Sequence, residues 1–334
     1  MDSRPWLRHY PPAVPAVIDT AAIPSLAALL EDAFRRHAAR DALSFMDTRL
    51  RYRDVDEASE ALGAWLQSLG LERGARIALM MPNLPQYLVA IAAVLRAGYI
   101  VVNVNPLYTA RELEHQLQDS GATVCVVLEN MAATLELVID RVPVRHVVLV
   151  AVGDMLPRWR GALVNFVLRH VRRAVPEFTL PLDQGRTVTR FNDALAVGHR
   201  LSLRRPEIGP DDIAFLQYTG GTTGVSKGAV LLHRNVVANV LQSEAWFQPT
   251  LNRLGSGAMT VVCALPLYHI YALTVCALFG ARMGVMNLLI PNPRDLRAFV
   301  QALARQPVNM FPGVNTLAPP MCMDSIMFTL KPKM

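Results

Sequence analysis

Apolar side chains recur at helical spacing over residues 25–39, where Leu26, Leu29, Leu30, Ala33 and Phe34 line one face behind Ser25, a favoured N-cap residue. Short apolar runs at 43–45 and 50–52 predict a hairpin, and the helical period returns over 54–69, ending near Gly70. From there the pattern alternates. Strand-like runs at 76–80, 100–103, 123–128 and 146–150 are separated by helical stretches at 86–97 and 111–119, with Pro82-Asn83 and Gly98 as breaks. A second alternating stretch has strands at 213–217, 261–265, 285–290 and 308–311. Its helices lie at 236–247, 272–279 and from Pro293 through Ala304. Such alternation predicts an α/β fold with doubly wound, largely parallel sheets and flanking helices. The apolar stretches 87–104 and 259–290 are cut by Arg96, Gly98, Asn103, Pro266, His269 and Arg282, so they read as buried strands and helices rather than membrane spans.

Residues 151–212 break this rhythm with Pro157, Pro176, Pro181 and Gly185. Within them, 159–175 carries an apolar stripe of Leu163, Phe166, Val167 and Val171 among Arg158, Arg160, Arg169, Arg172 and Arg173. The expectation is a helix packed on the protein with a solvated basic face; the alternative is a helix lying on an anionic membrane surface.

The densest chemistry follows the run Ile213-Ala214-Phe215-Leu216, in Tyr218-Thr219-Gly220-Gly221-Thr222-Thr223-Gly224-Val225-Ser226-Lys227-Gly228-Ala229. Glycines let backbone N–H groups converge on an anion, threonine hydroxyls add donors, and Lys227 adds a mobile positive charge. That inventory suits a polyphosphate. It is neither the Gly-Lys-Ser/Thr loop, because Lys227 lies between Ser226 and Gly228, nor a GxGxxG dinucleotide fingerprint. His269 follows Pro266-Leu267-Tyr268 at the carboxyl end of a predicted strand, the edge where α/β sheets gather ligands, whereas His115 and His233 read as structural or surface residues.

Composition agrees with a globular protein: 334 residues, 52% hydrophobic and 18% charged. The net charge of +6 is almost wholly arginine, since only Lys227, Lys331 and Lys333 are lysines. It permits anionic partners without choosing among them, and no zinc-finger spacing or RNA-binding aromatic motif argues for nucleic acid. Cys125, Cys263, Cys276 and Cys322 show no metal-ligand spacing, and Cys125 and Cys263 lie in apolar runs that predict core positions. With no secretory signal in the first thirty residues, the cytoplasm is the expected compartment.

The loop order resembles the phosphate-loop signature of the adenylate-forming enzymes, and within them the bacterial long-chain fatty acid–CoA ligases. So do Met80-Met81-Pro82-Asn83, Val101-Val102-Asn103-Val104-Asn105-Pro106-Leu107-Tyr108-Thr109, Arg111-Glu112-Leu113-Glu114-His115-Gln116-Leu117, Leu265-Pro266-Leu267-Tyr268-His269-Ile270 and Asn292-Pro293-Arg294-Asp295. The resemblance implies ATP-dependent activation of a fatty acid to an acyl-adenylate and then an acyl-CoA, with ATP, Mg2+ and CoA required. Residues 219–227 would wrap the β- and γ-phosphates, and His269 and Tyr271 would line the junction of acyl and nucleotide pockets. Gly220 and Ser226 depart from the broader pattern, where serine and proline are commoner. The resemblance also implies that 1–317 form part of the amino-terminal adenylation domain. The aromatic-Gly-x-Thr-Glu segment for magnesium, the ribose aspartate and the mobile carboxyl-terminal domain are not found. Residues 318–334, with four of the fourteen methionines after 320 and two of the three lysines, read as an aberrant tail. The expectation is therefore a ligase by family whose truncated chain is inactive. The alternative is a non-enzymatic nucleotide-binding or membrane-surface fragment, peripheral on the inner membrane face.

Overall fold

A computed structural model describes residues 4–182, 185–220, 225–254 and 258–314. Seven strands form the larger sheet in the order β7-β6-β5-β3-β4-β8-β9. They are β3 (Arg76–Met80), β4 (Ile100–Asn103), β5 (Val124–Leu128), β6 (His146–Val150), β7 (Thr187–Arg190), β8 (Ile213–Thr219) and β9 (Lys227–Leu232). Every neighbouring pair is parallel except β8 with β9. The smaller sheet runs β10-β11-β1-β2, from β10 (Thr260–Cys263), β11 (Met286–Leu289), β1 (Asp41–Phe45) and β2 (Thr48–Arg51), antiparallel only in the β1–β2 hairpin. The predicted α/β class with largely parallel sheets is the observed one.

Helices form where the apolar period and the caps agree. α1 (Leu26–His37) starts at Ser25, whose Oγ accepts from Ala28 N–H at 3.2 Å. α2 (Tyr52–Ser68) and α3 (Pro85–Arg96) pack on each other. With α1 they share one continuous core with Leu43 and Phe45 of the small sheet and Ile77, Leu79 and Val101 of the large one. α4 (Ala110–Ser120) opens on a capping box: Glu112 accepts from Thr109 N–H, while Thr109 Oγ1 accepts from Glu112 N–H. With α5 (Ala132–Glu136), it covers the opposite face of β3–β6. Cys125, Cys263 and Cys276 are buried free thiols, as their apolar settings predict for the first two. Among the described residues no helix is long and apolar enough to cross a membrane.

Four expectations need correction. The irregular region 151–212 contains β7 and α7 (Phe191–Gly198), the latter docked so tightly on α2 that a Cβ on Gly198 would lie 1.9 Å from Ala61 O. The helix begun at 159 is α6 (Arg158–Phe166), continued by a π-helical turn, Val167–Val171. Pro293 does not start the last helix; α11 (Leu296–Ala304) is capped by Asp295, whose Oδ1 accepts from Ala298 N–H at 3.1 Å. Residues 308–311 form no ladder, only an isolated parallel bridge between Met310 and Val261.

Candidate functional site

The phosphate-loop candidate spans the end of β8 and the start of β9, which pair antiparallel as a hairpin. β8 enters the large sheet beside β4, and its Ala214, Phe215, Gln217 and Tyr218 are buried. The chain then returns antiparallel as β9, pairing Thr219 with Lys227, Tyr218 with Gly228 and Gln217 with Ala229. The sequence reading had only a loop leading toward a helix over 236–247. The observed helix, α8, is longer (His233–Leu254) and follows β9. Lys227, Gly228 and Ala229 are thus strand residues on the hairpin's returning leg. Thr219, Gly220, Val225 and Lys227 are solvent-exposed, and Ser226 is half-buried. Gly221, Thr222, Thr223 and Gly224 lie outside the described residues.

Both legs are anchored. The Tyr218 ring fills the space above Gly228, where a Cβ would approach it to 2.9 Å. Its hydroxyl donates to Asp119 Oδ2 at 2.5 Å. Burial and the adjoining Asp119 carboxylate hold this phenol well above its usual pKa, so it remains a donor. On the other leg, His115 Nε2 donates to Ser226 O at 3.0 Å, and the Tyr108 phenol hydrogen-bonds the Ser226 side chain. Lys227 makes no ion pair among the described residues.

The second component is the turn after β10. Buried Asn83, just beyond β3, donates through Nδ2 to Cys263 O and Leu265 O, both at 2.9 Å, and accepts from Leu267 N–H at 2.8 Å. Gln217 donates from Nε2 to Tyr268 O at 2.8 Å and accepts from Asn103 Nδ2 at 2.9 Å. Tyr87 OH completes the chain by donating to Asn103 Oδ1 at 2.6 Å. Two buried amides therefore tie the His269 turn to β3 and to β8, two residues before Thr219. Buried amides with all partners supplied fix such a geometry strongly.

Two clefts flank this turn. One, of about 790 Å³, is lined by Pro82, Pro106, Leu265, Tyr268, Asn292 and Arg294 among others. The other, of about 630 Å³, lies between α8 and α9 (Ile270–Ala272), which runs through a π-helical stretch, Leu273–Leu278, into α10 (Phe279–Met283). Val236, Phe247, Ile270, Tyr271 and Val275 line it. Tyr268 thus faces the first cleft and Tyr271 the second, with His269 between them in sequence. The exposed His269 ring stacks on Tyr268 with centroids 4.6 Å apart, and partial burial moves its pKa below the ordinary 6.5. It is neutral at pH 7 and can donate or accept one hydrogen bond.

His115 and His233 are structural, as expected: His115 props the hairpin, and His233 Nδ1 accepts from Leu26 N–H at 3.0 Å. Sequence reasoning missed the scaffold of Asn83, Asn103 and Gln217 as working parts. Its signal was present: a lone amide at the carboxyl end of an otherwise apolar buried strand needs a specific partner. Among the described residues no three His, Cys, Asp or Glu side chains gather as a metal site. The hairpin's described groups are anion donors, and the nearby Asp119 is already engaged by Tyr218. Among the described residues, the Mg2+ implied by resemblance therefore finds no ligand set.

A largely parallel α/β sheet thus carries at one end a hairpin whose described residues include Thr219, Gly220, Ser226 and Lys227, with two clefts flanking the neighbouring turn. The AMP-binding enzyme family model matches residues 30–331, and the chain belongs to that family. Over 313 residues it is 49% identical to a long-chain-fatty-acid–CoA ligase of Salmonella typhimurium, covering 93% of this chain and 54% of that protein. It is 32% identical over 317 residues to the ligase of the same description from Bacillus subtilis, covering 94% of this chain and 54% of that one. The chain spans about half the length of these curated relatives. In fold it matches an anthranilate CoA ligase in complex with anthranoyl-AMP, with a TM-score of 0.69 at 20% identity over 88% of this chain and 51% of that one. A long-chain-fatty-acid–CoA ligase from Archaeoglobus fulgidus matches with a TM-score of 0.64 at 20% identity, over 87% of this chain and 51% of that one.

Proposed function

We propose that this chain contributes to ATP-dependent activation of a long-chain fatty acid, holding the triphosphate tail of ATP on the β8–β9 hairpin and the fatty acid beside the His269 turn. The observation that carries the reading is the Gln217 bridge, which couples the root of a polyphosphate-type hairpin to a turn flanked by two clefts. The named relatives supply the substrate class.

In the first step a carboxylate oxygen attacks the α-phosphorus of ATP. A C–O–P linkage forms, the bond to the bridging oxygen breaks, and pyrophosphate leaves with its electrons. Nucleophile and electrophile are both anionic, so neutralising phosphate charge lowers the barrier most. The roles assigned are hydroxyl donation by Thr219, Thr222, Thr223 and Ser226, close approach at Gly220, Gly221 and Gly224, and positive charge from Lys227. Tyr218 and Gly228 hold the hairpin's pitch, while Val225 and Ala229 supply backbone. His269 orients the carboxylate from between the clefts. In the second step the CoA sulfur attacks the acyl carbon and AMP departs with the carboxyl oxygen. ATP and CoA place this work in the cytoplasm.

Titration of the purified chain with ATP and GTP tests the reading. A hairpin gripping only phosphates, open to water, gives dissociation constants of roughly 1 mM, about −4 kcal/mol, for both nucleotides. Lys227→Ala should weaken both about fivefold, the worth of one solvated charge contact. Absence of ATP binding at several millimolar, or undiminished binding by Lys227→Ala, overturns it.

A further inference from the structure

A third cleft, of about 600 Å³, is lined by no residue of the hairpin or the His269 turn. Its walls come from the β1–β2 turn, the end of β11, α11, and α6 with the turn beyond it. Four arginines line it: Arg49 on β2, Arg160 on α6, Arg172 just past the π-helical turn and Arg305 just past α11. Their partners are unequal. Arg49 pairs with Asp41 at 3.0 Å, and Arg305 pairs with Asp47. The other lining carboxylate, Asp295, accepts from Ala298 N–H as the cap of α11. Arg160 instead donates to neutral oxygens, Met46 O at 2.8 Å and Thr48 Oγ1 at 3.4 Å, and Arg172 is exposed. Neither makes an ion pair among the described residues. Two guanidinium charges in the cleft thus have no carboxylate to neutralise them, and a backbone carbonyl fixes the direction of one.

The rim of this cleft is strained. Met46 and Asp47, the two residues of the β1–β2 turn, have φ of 46° and 59°, the left-handed region that asparagine and glycine favour in such hairpins. Strain of this kind persists where the surroundings enforce it, and here Arg160 holds the Met46 carbonyl and Arg305 the Asp47 carboxylate. Buried Ser44 and half-buried Gln306, both lining the cleft, come together only to 3.5 Å (Nε2 to Oγ), so each keeps hydrogen-bonding capacity for another partner. Leu289, Ile290 and Ala302 supply apolar wall beside these groups.

We infer that this cleft binds a soluble phosphorylated ligand of nucleotide size, with its phosphates on Arg160 and Arg172 and its uncharged part against Leu289 and Ala302. The planar guanidinium fork matches phosphate oxygens in pairs, and two uncompensated cations call for a ligand with at least two negative charges. The volume lies within the range of roughly 300–1,000 Å³ usual for small-molecule sites, and apolar wall beside a few placed polar groups is their usual make-up. Residues 290–292 form a wall common to this cleft and the one beside Tyr268, so the ligand sits one wall away from the carboxylate position proposed above. The inference stands independently of the ligase reading, since it uses no residue of the hairpin or the His269 turn.

Calorimetric titration of the purified chain with ADP tests it, in a Lys227→Ala background that weakens any binding at the hairpin. The expected result is one equivalent of ADP with a dissociation constant below about 1 mM, weaker binding of pyrophosphate and none of adenosine. Arg172→Gln should weaken ADP about fivefold, the worth of one solvated charge contact, and Arg160→Gln at least as much. Asp47→Asn should act in the opposite direction. It frees the charge of Arg305, asparagine tolerates the left-handed turn, and ADP should bind about fivefold more tightly. Arg172 and Asp47 are exposed, so both of these variants should keep the parent melting temperature. The inference is overturned if Lys227→Ala abolishes ADP binding, which would assign all of it to the hairpin, or if Arg172→Gln leaves the affinity unchanged. It is equally overturned if adenosine or pyrophosphate binds as tightly as ADP, or if Asp47→Asn fails to tighten binding.

Discussion

Acid should destabilise this protein through His233. The ring is 2% exposed at the start of α8, and its Nδ1 accepts from Leu26 N–H, the first amide of α1. An accepting nitrogen carries no proton, so the folded state requires the neutral ring. Burial pushes the pKa from 6.5 down to about 4, against the opposing pull of Asp212. Above pH 6.5 the ring is neutral folded and unfolded alike, and its full contribution is present. As the pH falls below 6.5 the unfolded chain binds a proton that the folded state refuses. Stability then drops by about 1.4 kcal/mol per pH unit until the folded ring also titrates near pH 4, a total of about 3 kcal/mol. That is a large part of the ~5–15 kcal/mol typical of a folded domain. Burial also lowers His37, His146 and His269, so the wild-type pH dependence sums several groups of the same sign. His233→Asn isolates one of them, since the Asn oxygen can accept from Leu26 N–H without titrating. Urea unfolding followed by tryptophan fluorescence should show the variant losing about 2 kcal/mol less than the wild type between about pH 6.5 and 5. Parallel curves for the two proteins would refute the assignment of a buried, neutral, accepting imidazole.

The scaffold makes two further predictions. Gln217→Leu leaves Asn103 Nδ2 and Tyr268 O buried without partners and should cost about 2–4 kcal/mol in urea unfolding, with faster proteolysis at 266–269; wild-type stability would remove the bridge from the argument. Gly228→Ala drives a Cβ into the Tyr218 ring and should cost about 1–3 kcal/mol, whereas Gly220→Ala, with open space around it, should be within about 0.5 kcal/mol of wild type. Equal melting temperatures for these two variants would contradict the packing described.

The parallel core was legible because its strands are continuous apolar runs such as Val124–Leu128 between helices with strong periods and, at α1, a cap at Ser25. The edges were not. β7 reads Thr-Val-Thr-Arg and β9 reads Lys-Gly-Ala-Val-Leu-Leu; both are largely exposed and neither shows clean alternation, so pairing with a neighbour, rather than pattern, makes them strands. α6 packs on the protein as expected, but through the Gly153–Gly161 backbone contact and the Glu129–Arg169 pair, which hydrophobicity does not encode, while Leu163 and Phe166 of its apolar stripe stay exposed. At the site, the Gly/Thr/Lys segment and the His269 turn stand out as segments of the sequence. The amides linking them could not, because Asn103 and Gln217 lie far apart along the chain and meet only through the β4–β8 register.

That register has a mechanical consequence. The hairpin and the His269 turn are joined through side-chain amides in the interior. On the proposed reading, a change at Lys227 or Thr219 alters what touches the ligand without moving His269, because Gln217 and Asn83 still hold the Tyr268 and Leu267 backbone. A change at Asn103 or Gln217 touches no ligand yet releases both parts together. Activity losses from the two kinds of substitution should separate accordingly: exposed positions weaken ligand binding at constant stability, and interior positions lower stability and binding in parallel.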